Sequence, residues 1–228
     1  MDDVMACMNP DQVPEQVFKL PEEFVKQWLN SHSGRLDLQN CHLTPRQLNT
    51  VISHLPACTH VTVLHLPSLH SSDHTNHVLE ALDGVLGKLK GLRVLGLHGL
   101  RLHMEHMHVL VSMCSVMRDQ LEGVTISVPH WQFDDEPQAK RLFFAAIGRL
   151  RSLKVLVFEQ WAEFAAQDVS MLRELRHLTG LKVLVKEPPS AVHVHAVHKL
   201  VPGLVFGTVP ERKADAKDDV RSNQWQKG

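Results

Sequence analysis

The sequence has few of the features that mark an enzyme or a membrane protein. Its 228 residues include no tyrosine and no apolar run close to the roughly 20 residues that a membrane helix needs. No glycine-rich phosphate loop, G-x-S-x-G motif or G-x-G-x-x-G motif is present either. We therefore expect a protein without catalytic activity, without a cofactor and without a membrane segment.

The chain also lacks a strong charge of either sign. It has 24 basic and 25 acidic side chains, and its formal net charge is -1. A nearly neutral chain creates no long-range field that attracts nucleic acid, so we expect no nucleic-acid partner. Small basic groups, such as Lys88 with Lys90 and Arg149 with Arg151, fall where predicted helices end, and we interpret them as cations at negative helix termini.

Cysteine is scarce and scattered. The four cysteines lie far apart and form no C-x-x-C pair, which disfavours a zinc ribbon or a disulfide scaffold and predicts reduced, mostly buried thiols. The acidic start, Met1-Asp2-Asp3, is the opposite of the basic start of a signal peptide. These features indicate a cytoplasmic protein, with the nucleus as the alternative, and we expect a monomer.

One motif recurs along the middle of the chain. It is apolar-x-x-Leu-x-Leu or a near variant, and each copy is followed by a stretch with helical periodicity. The central apolar residues of the copies follow one another at steps of 28, 31, 29, 32 and 28 residues. They are Leu36, Leu64, Leu95, Val124, Leu156 and Leu184. A repeat with such a steady period indicates a solenoid, in which stacked units share one core.

The first copy continues through Leu38, Cys41 and Leu43, which match the positions of the pattern L-x-x-L-x-L-x-x-N/C-x-L. At these residues the chain resembles the leucine-rich-repeat proteins of the ribonuclease-inhibitor-like class. The resemblance implies an α/β solenoid with a parallel β-sheet on its concave face and helices on its convex face. It also implies a non-catalytic module that binds a protein partner.

We divide the chain into three parts. Residues 1–32 are predicted to form an N-terminal segment with a helical cap, residues 33–208 a solenoid of about six units, and residues 209–228 a disordered charged tail. The short stretch Leu20-Pro21-Glu22-Glu23 is similar to the start of an F-box, so the substrate-recognition part of a ubiquitin-ligase adaptor is an alternative. Thr44-Pro45, which reads as a helix start in the first repeat, argues against it.

Side chains that alternate with the inward leucines should point out of the concave sheet. In the last two units, four valines would form an apolar square on this face, with Glu159 and Glu187 at its rim. Exposed apolar patches with a charged rim mark interaction surfaces, although valine also stabilises strands without any partner. The predicted partner-binding residues are Val63, His65, Val94, His98, Val155, Val157, Glu159, Val183, Val185 and Glu187.

The 17 histidines supply another hypothesis. Several lie at predicted helix starts, where neighbouring units could bring them close enough to bind zinc or nickel or to respond to pH. The candidates are His74, His77, His103, His106 and His108. No H-E-x-x-H or paired-cysteine motif fixes a ligand geometry, so the sequence assigns no metal.

Overall fold

A computed structural model describes residues 34–39, 41, 43–67, 72–99, 103–127, 137–158, 170–178, 180–185 and 190–208. In this part of the chain, seven parallel strands form one sheet, and their order in the sheet is their order in the sequence. The first strand begins at Arg35 and the last ends at Thr208. The predicted N-terminal cap (1–32), with the F-box-like stretch, and the predicted tail (209–228) lie outside the described residues.

Helices or short 3-10 turns connect the strands. The strands are β1 (Arg35–Asp37), β2 (Val63–His65), β3 (Val94–His98), β4 (Gly123–Ser127), β5 (Val155–Phe158), β6 (Lys182–Val185) and β7 (Val205–Thr208). The helices are α1 (Pro45–His54), α2 (Ser72–Leu86), α3 (Met107–Val116), α4 (Pro137–Ile147) and α5 (Ala191–Leu200). The 3-10 turns are Leu55–Ala57, Met104–His106 and Leu172–Leu175. No helix in the described ranges has the length and apolar character needed to cross a bilayer.

The first helix begins as its sequence predicts. The Gln47 backbone N–H donates to Thr44 Oγ1 at 3.3 Å, and the Thr44 backbone N–H donates to Gln47 Oε1 at 2.8 Å. This reciprocal pair is a capping box, and Pro45 takes the first helical position, where its missing N–H is not needed. The helix then turns its apolar stripe towards the sheet.

The first five inward positions confirm the predicted repeat. Leu36 pairs with Leu64, Leu64 with Leu95, Leu95 with Val124, and Val124 with Leu156. All five side chains are buried in a single core. Successive helices from α1 to α4 pack side by side on one side of the sheet, so each unit covers an apolar face that its neighbour would otherwise leave in water.

Aromatic side chains close the core in the fifth unit. Phe158 on β5 lies with its ring centroid 6.4 Å from that of Phe143 and 6.2 Å from that of Phe144, both on α4. The rings of Phe143 and Phe144 meet edge to face with centroids 5.4 Å apart. In the next unit, Ser170 and Met171 are helical, and a short 3-10 turn with buried Leu172 and Leu175 follows them.

The sixth strand is shifted by one residue from the predicted register. Val183 pairs with Leu156, and Leu184 pairs with Val157. The side chain of Val183 is 0% exposed and that of Val185 is 2% exposed. The prediction that these two valines lie on the concave surface is therefore wrong.

The shift has a physical reason in the sequence of the strand. Both faces of this strand begin with apolar side chains, because Val183 and Val185 alternate with Leu184. If Leu184 pointed inward, Lys186 would be the next inward residue, and a charged group would have to enter the core without a partner. The observed register brings two valines inward and gives Leu184 to the concave face.

Candidate functional site

The side of the sheet that faces away from the helices has two rows of neighbouring side chains. The first row is Arg35, Val63, Val94, Gly123, Val155, Lys182 and Val205. The second row is Asp37, His65, Gly96, Thr125, Val157, Leu184 and Gly207. Of the predicted binding residues, Val63, His65, Val94, Val155 and Val157 lie in these rows and are half-buried, whereas Glu159 and Glu187 lie outside the described residues.

An apolar patch occupies the C-terminal end of this face. It consists of Val155, Val157, Leu184 and Val205. Val205 is 51% exposed, and the other three are half-buried. A Cβ atom on Gly207 would lie 2.9 Å from Leu184 Cδ2 and 3.2 Å from Lys182 Cε, so these two side chains lie over the glycine. The patch thus spans β5 to β7 and has the ammonium-bearing side chain of Lys182 within it.

The sequence reading missed two members of this patch, Leu184 and Val205. The residue that indicates the observed register is Lys186, because its charge disfavours the register in which Leu184 and Lys186 point inward. Once the phase of β6 is known, the partner row on β7 follows from the parallel register.

Two imidazole rings pair at the other end of the face. His65 Nδ1 lies 3.1 Å from His98 Nε2, and the rings stack with centroids 5.4 Å apart and planes 22° apart. At this distance one nitrogen donates a proton to the other. Because His98 stacks on His65 and is only 1% exposed, the prediction that His98 offers an open binding side chain is wrong.

A carboxylate adjoins this pair. Arg35 Nη2 donates to Asp37 Oδ2 at 3.0 Å, and the backbone N–H of Gln39 donates to Asp37 Oδ1 at 3.1 Å. Burial raises the pKa of Asp37, but these two hydrogen bonds and the positive charges of His65 and Arg35 outweigh burial and hold that pKa below its usual value. A polar track therefore runs from β1 to β3.

Gly96 makes room for the imidazole pair. A Cβ atom at this position would lie 2.2 Å from His65 Nδ1 and 2.8 Å from His98 Nε2. We expect Gly96→Ala to expel the His65 ring and to lower the free energy of unfolding by about 1–2 kcal/mol, since the nitrogen–nitrogen hydrogen bond is lost. Urea denaturation measures this loss.

The matched control is the same substitution in a His65→Ala background. There His98 can shift into the vacated space, so Gly96→Ala should be close to neutral or slightly stabilising. Equal losses in both backgrounds would contradict the steric account.

The histidines proposed as metal ligands have different surroundings. His77 and His108 are exposed, His103 is half-buried, His106 is fully buried, and the side chain of His74 is outside the described part. The His103 backbone N–H donates to His106 Nδ1 at 2.8 Å, so that nitrogen is used at the helix start. Across the described ranges, no three histidine, cysteine, aspartate or glutamate side chains are grouped so that they could hold a metal ion.

His106 should make stability depend on pH. Burial lowers the pKa of His106 below its ordinary 6.5, with Glu105 opposing the shift. The folded chain therefore binds fewer protons than the unfolded chain below that value, and stability falls as the pH drops through 6.5 towards the lower folded-state pKa. The slope from this one group is at most about 1.4 kcal/mol per pH unit.

Denaturant unfolding at about pH 7.5 and about pH 5.5 measures this contribution. In His106→Gln, whose amide oxygen can still accept from His103, the loss on acidification should be smaller than in the wild type. His77→Gln removes an exposed histidine from the neighbouring helix α2 and should leave the wild-type loss intact. An undiminished loss in His106→Gln would show that the acid sensitivity arises elsewhere.

Two of the cysteines, Cys58 and Cys114, are buried free thiols. Cys41 is half-buried, and Cys7 lies outside the described residues. Burial raises the pKa of Cys114 to about 12, against a weaker opposing effect of Arg149. A thiol with this pKa is almost never the reactive thiolate, in agreement with the inert side chain expected from the sequence.

Comparisons with known proteins bear on the fold alone. No family model matches the chain, and no curated protein matches it. Among solved structures, the leucine-rich-repeat protein LegL7 from Legionella pneumophila is similar, with a TM-score of 0.54 and 15% identity over 91% of this chain and 72% of LegL7. Actin-binding site 2 of leiomodin-1 gives a TM-score of 0.40 and 17% identity over 81% of this chain and 87% of that one.

The repeat in the sequence, the single parallel sheet and the likeness to LegL7 together define the class. The protein has the leucine-rich-repeat fold of the ribonuclease-inhibitor-like type, with strands on the concave face and helices on the convex face. The likeness concerns the fold, because an identity of 15% says nothing about partners.

Proposed function

We propose that the chain is a non-catalytic protein-interaction module that binds a protein partner through the concave face of its sheet. One observation carries the proposal: the apolar patch of Val155, Val157, Leu184 and Val205 is partly open to solvent on a face that none of the described helices covers. Contiguous apolar side chains at a surface favour burial against another molecule.

The side chains of the patch suit this role. Three of its four members are valines, which have few rotamers and lose little conformational freedom when a partner covers them. Their backbone is held by strand pairing on both sides at β5 and β6. A partner would therefore meet a surface that is already arranged for binding.

Lys182 gives the patch a polar feature. It lies between Val155 and Val205 in the first row, and its side chain is exposed. Polar groups beside an apolar centre fix the orientation of a partner more than they add affinity. The preferred partner segment therefore presents apolar side chains with a hydrogen-bond acceptor or carboxylate between them.

The double variant Val157→Lys with Leu184→Asp tests the proposal, because it introduces charge at the centre of the patch and leaves the net charge unchanged. Proximity labelling in cells that express either chain, followed by binding measurements with the purified candidates, gives the readout. We expect partners of the wild type to lose at least about tenfold in affinity for the double variant.

Val192→Lys is the matched control. Val192 is 77% exposed on α5, away from the sheet rows. The substitution therefore removes a surface valine and leaves the patch unchanged. Circular dichroism first establishes that both variants fold. If the double variant keeps all partners of the wild type, the valines serve only the stability of the strands and the proposal fails.

A further inference from the structure

A basic groove lies at the edge of the solenoid where the helices end and the next strands have not yet begun. Its first hollow has a volume of about 510 Å³ and is lined by Ser115, Arg118, Gly148, Arg149, Arg151 and His177. A second hollow of about 420 Å³ shares Gly148, Arg149 and His177 with the first and adds Arg173, Glu174 and Arg176. The two hollows form one groove across three consecutive units.

The arginines of the groove have no carboxylate partner in the described part of the chain. Within the described ranges, no aspartate or glutamate forms an ion pair with Arg118, Arg149, Arg151 or Arg176. Arg149 Nη1 donates to Ser115 Oγ at 3.0 Å, which leaves its charge uncompensated. The groove therefore gathers positive charge although the whole chain has a net charge of -1.

Among the described residues that line the groove, the one carboxylate is that of Glu174, and its ion-pair partner is Arg141, which lines neither hollow. Glu174 Oε1 lies 3.8 Å from Arg141 Nε. Among the described residues that line the first hollow there is no carboxylate, so three arginines share this hollow without an opposite charge. A bound anion relieves this mutual repulsion.

Helix ends explain part of this pattern but not all of it. The negative end of a helix attracts a cation within its last turn, and Arg118 and Arg149 follow the ends of α3 and α4. Arg151 lies further along the chain, beyond the reach of that effect, yet it lines the same hollow. Stacking of the units, and not the helix ends alone, brings these charges together.

The floor of the groove is rigid. The Arg151 backbone N–H donates to the Arg118 carbonyl oxygen at 2.7 Å, which ties two neighbouring units. A ring nitrogen of His177 contacts the Gly148 carbonyl oxygen, which ties the next pair. A Cβ atom on Gly148 would lie 2.6 Å from the Glu174 carbonyl oxygen, so only glycine permits this close approach of the backbones. The backbone segments that carry the arginines are thus tied to one another along the groove.

We propose that this groove binds an acidic segment of a protein partner, with carboxylate side chains held by Arg118, Arg149 and Arg151. The guanidinium fork matches a carboxylate with two parallel hydrogen bonds, and a groove across three units suits a short extended peptide. A long polyanion such as nucleic acid is disfavoured, because the nearly neutral chain offers it little attraction beyond the groove. The groove lies on a different surface from the apolar patch, so the inference goes beyond the proposed function.

Fluorescence anisotropy with the full chain and a short labelled peptide that alternates glutamate with glycine tests the proposal. The glutamine counterpart of the peptide and a single-stranded oligonucleotide of equal charge are the competing probes. At low salt we expect the acidic peptide to bind with a dissociation constant of about 1 mM or lower, more tightly than either competing probe, and to weaken as salt is raised.

In Arg118→Gln with Arg151→Gln, the affinity for the acidic peptide should fall about tenfold or more. The control Lys88→Gln with Lys90→Gln removes the same charge from exposed positions on the same edge and should change affinity less than about twofold. Equal losses in the two variants, tighter binding of the oligonucleotide, or no binding of the peptide would each overturn the proposal. The patch variant Val157→Lys with Leu184→Asp should bind the peptide normally, which separates this test from that of the concave face.

Discussion

Val183→Asp is expected to destabilise the C-terminal units by about 3–5 kcal/mol, whereas Leu184→Asp should change stability by no more than about 1 kcal/mol. The reason is the register of β6. Val183 is fully buried, so a carboxylate there would be ionised without water or a partner. Leu184 lies on the concave face, where water can hydrate the new charge.

Denaturant unfolding together with hydrogen exchange of residues 180–208 measures both effects. Exchange matters because repeat proteins can lose terminal units while the centre stays folded. If Leu184→Asp were the more damaging substitution, the register of β6 would be the one that the leucine pattern predicts, with Val183 on the surface.

Phe158→Ala should have the second large effect, a loss of about 3–5 kcal/mol in the free energy of unfolding. Phe158 is 1% exposed and contacts both aromatic rings of α4, so the truncation leaves a cavity bounded by Phe143 and Phe144. The neighbours cannot close it without moving α4 relative to the sheet. Urea unfolding monitored by circular dichroism gives the free energy.

Two other substitutions set the scale for this loss. Phe158→Leu inserts the side chain that β3 has at the same inward position, Leu97, and should retain more than half of the stability that Phe158→Ala loses. Val192→Ala at an exposed helical site should change stability by less than about 0.5 kcal/mol. If Phe158→Ala were as mild as Val192→Ala, β5 would not pack against α4 as described.

The sequence predicts the first four strands because only one face of each is apolar enough to line a core. Leu64 and Leu66 have the surface-facing His65 between them, so a slip by one residue would exchange leucine for histidine in the core. In β5 both faces are apolar, and the larger side chains, Leu156 and Phe158, lie inward. In β6, by contrast, Val183 and Leu184 are equally suited to the core. The decision there depends on Lys186, which stands at the last leucine position of the motif.

The site was less predictable than the fold. Alternation along each strand indicates the concave positions, and it places Val155 and Val157 there. It does not reveal that His98 is buried, because that depends on the space that Gly96 leaves for two stacked rings. Packing between side chains of different units leaves no periodic pattern in the sequence from which such burial could be predicted.

The basic groove illustrates the same limit. Along the chain, Arg149 and Arg151 look like ordinary helix-end cations, and Arg118 is about thirty residues away in another unit. Only the stacking of units brings them to one hollow with His177. A charge pattern that repeats with the period of the solenoid is the signal that could have indicated it.

Site-specific photo-crosslinking tests the central claim most directly. A photoreactive amino acid replaces Val157 on the concave face in one chain and Val192 on α5 in another, and each is irradiated in cells that express it. We predict a covalent adduct with a protein partner from position 157 and none of the same mass from position 192. The same adduct from both positions, or an adduct from position 192 alone, would contradict binding through the concave face.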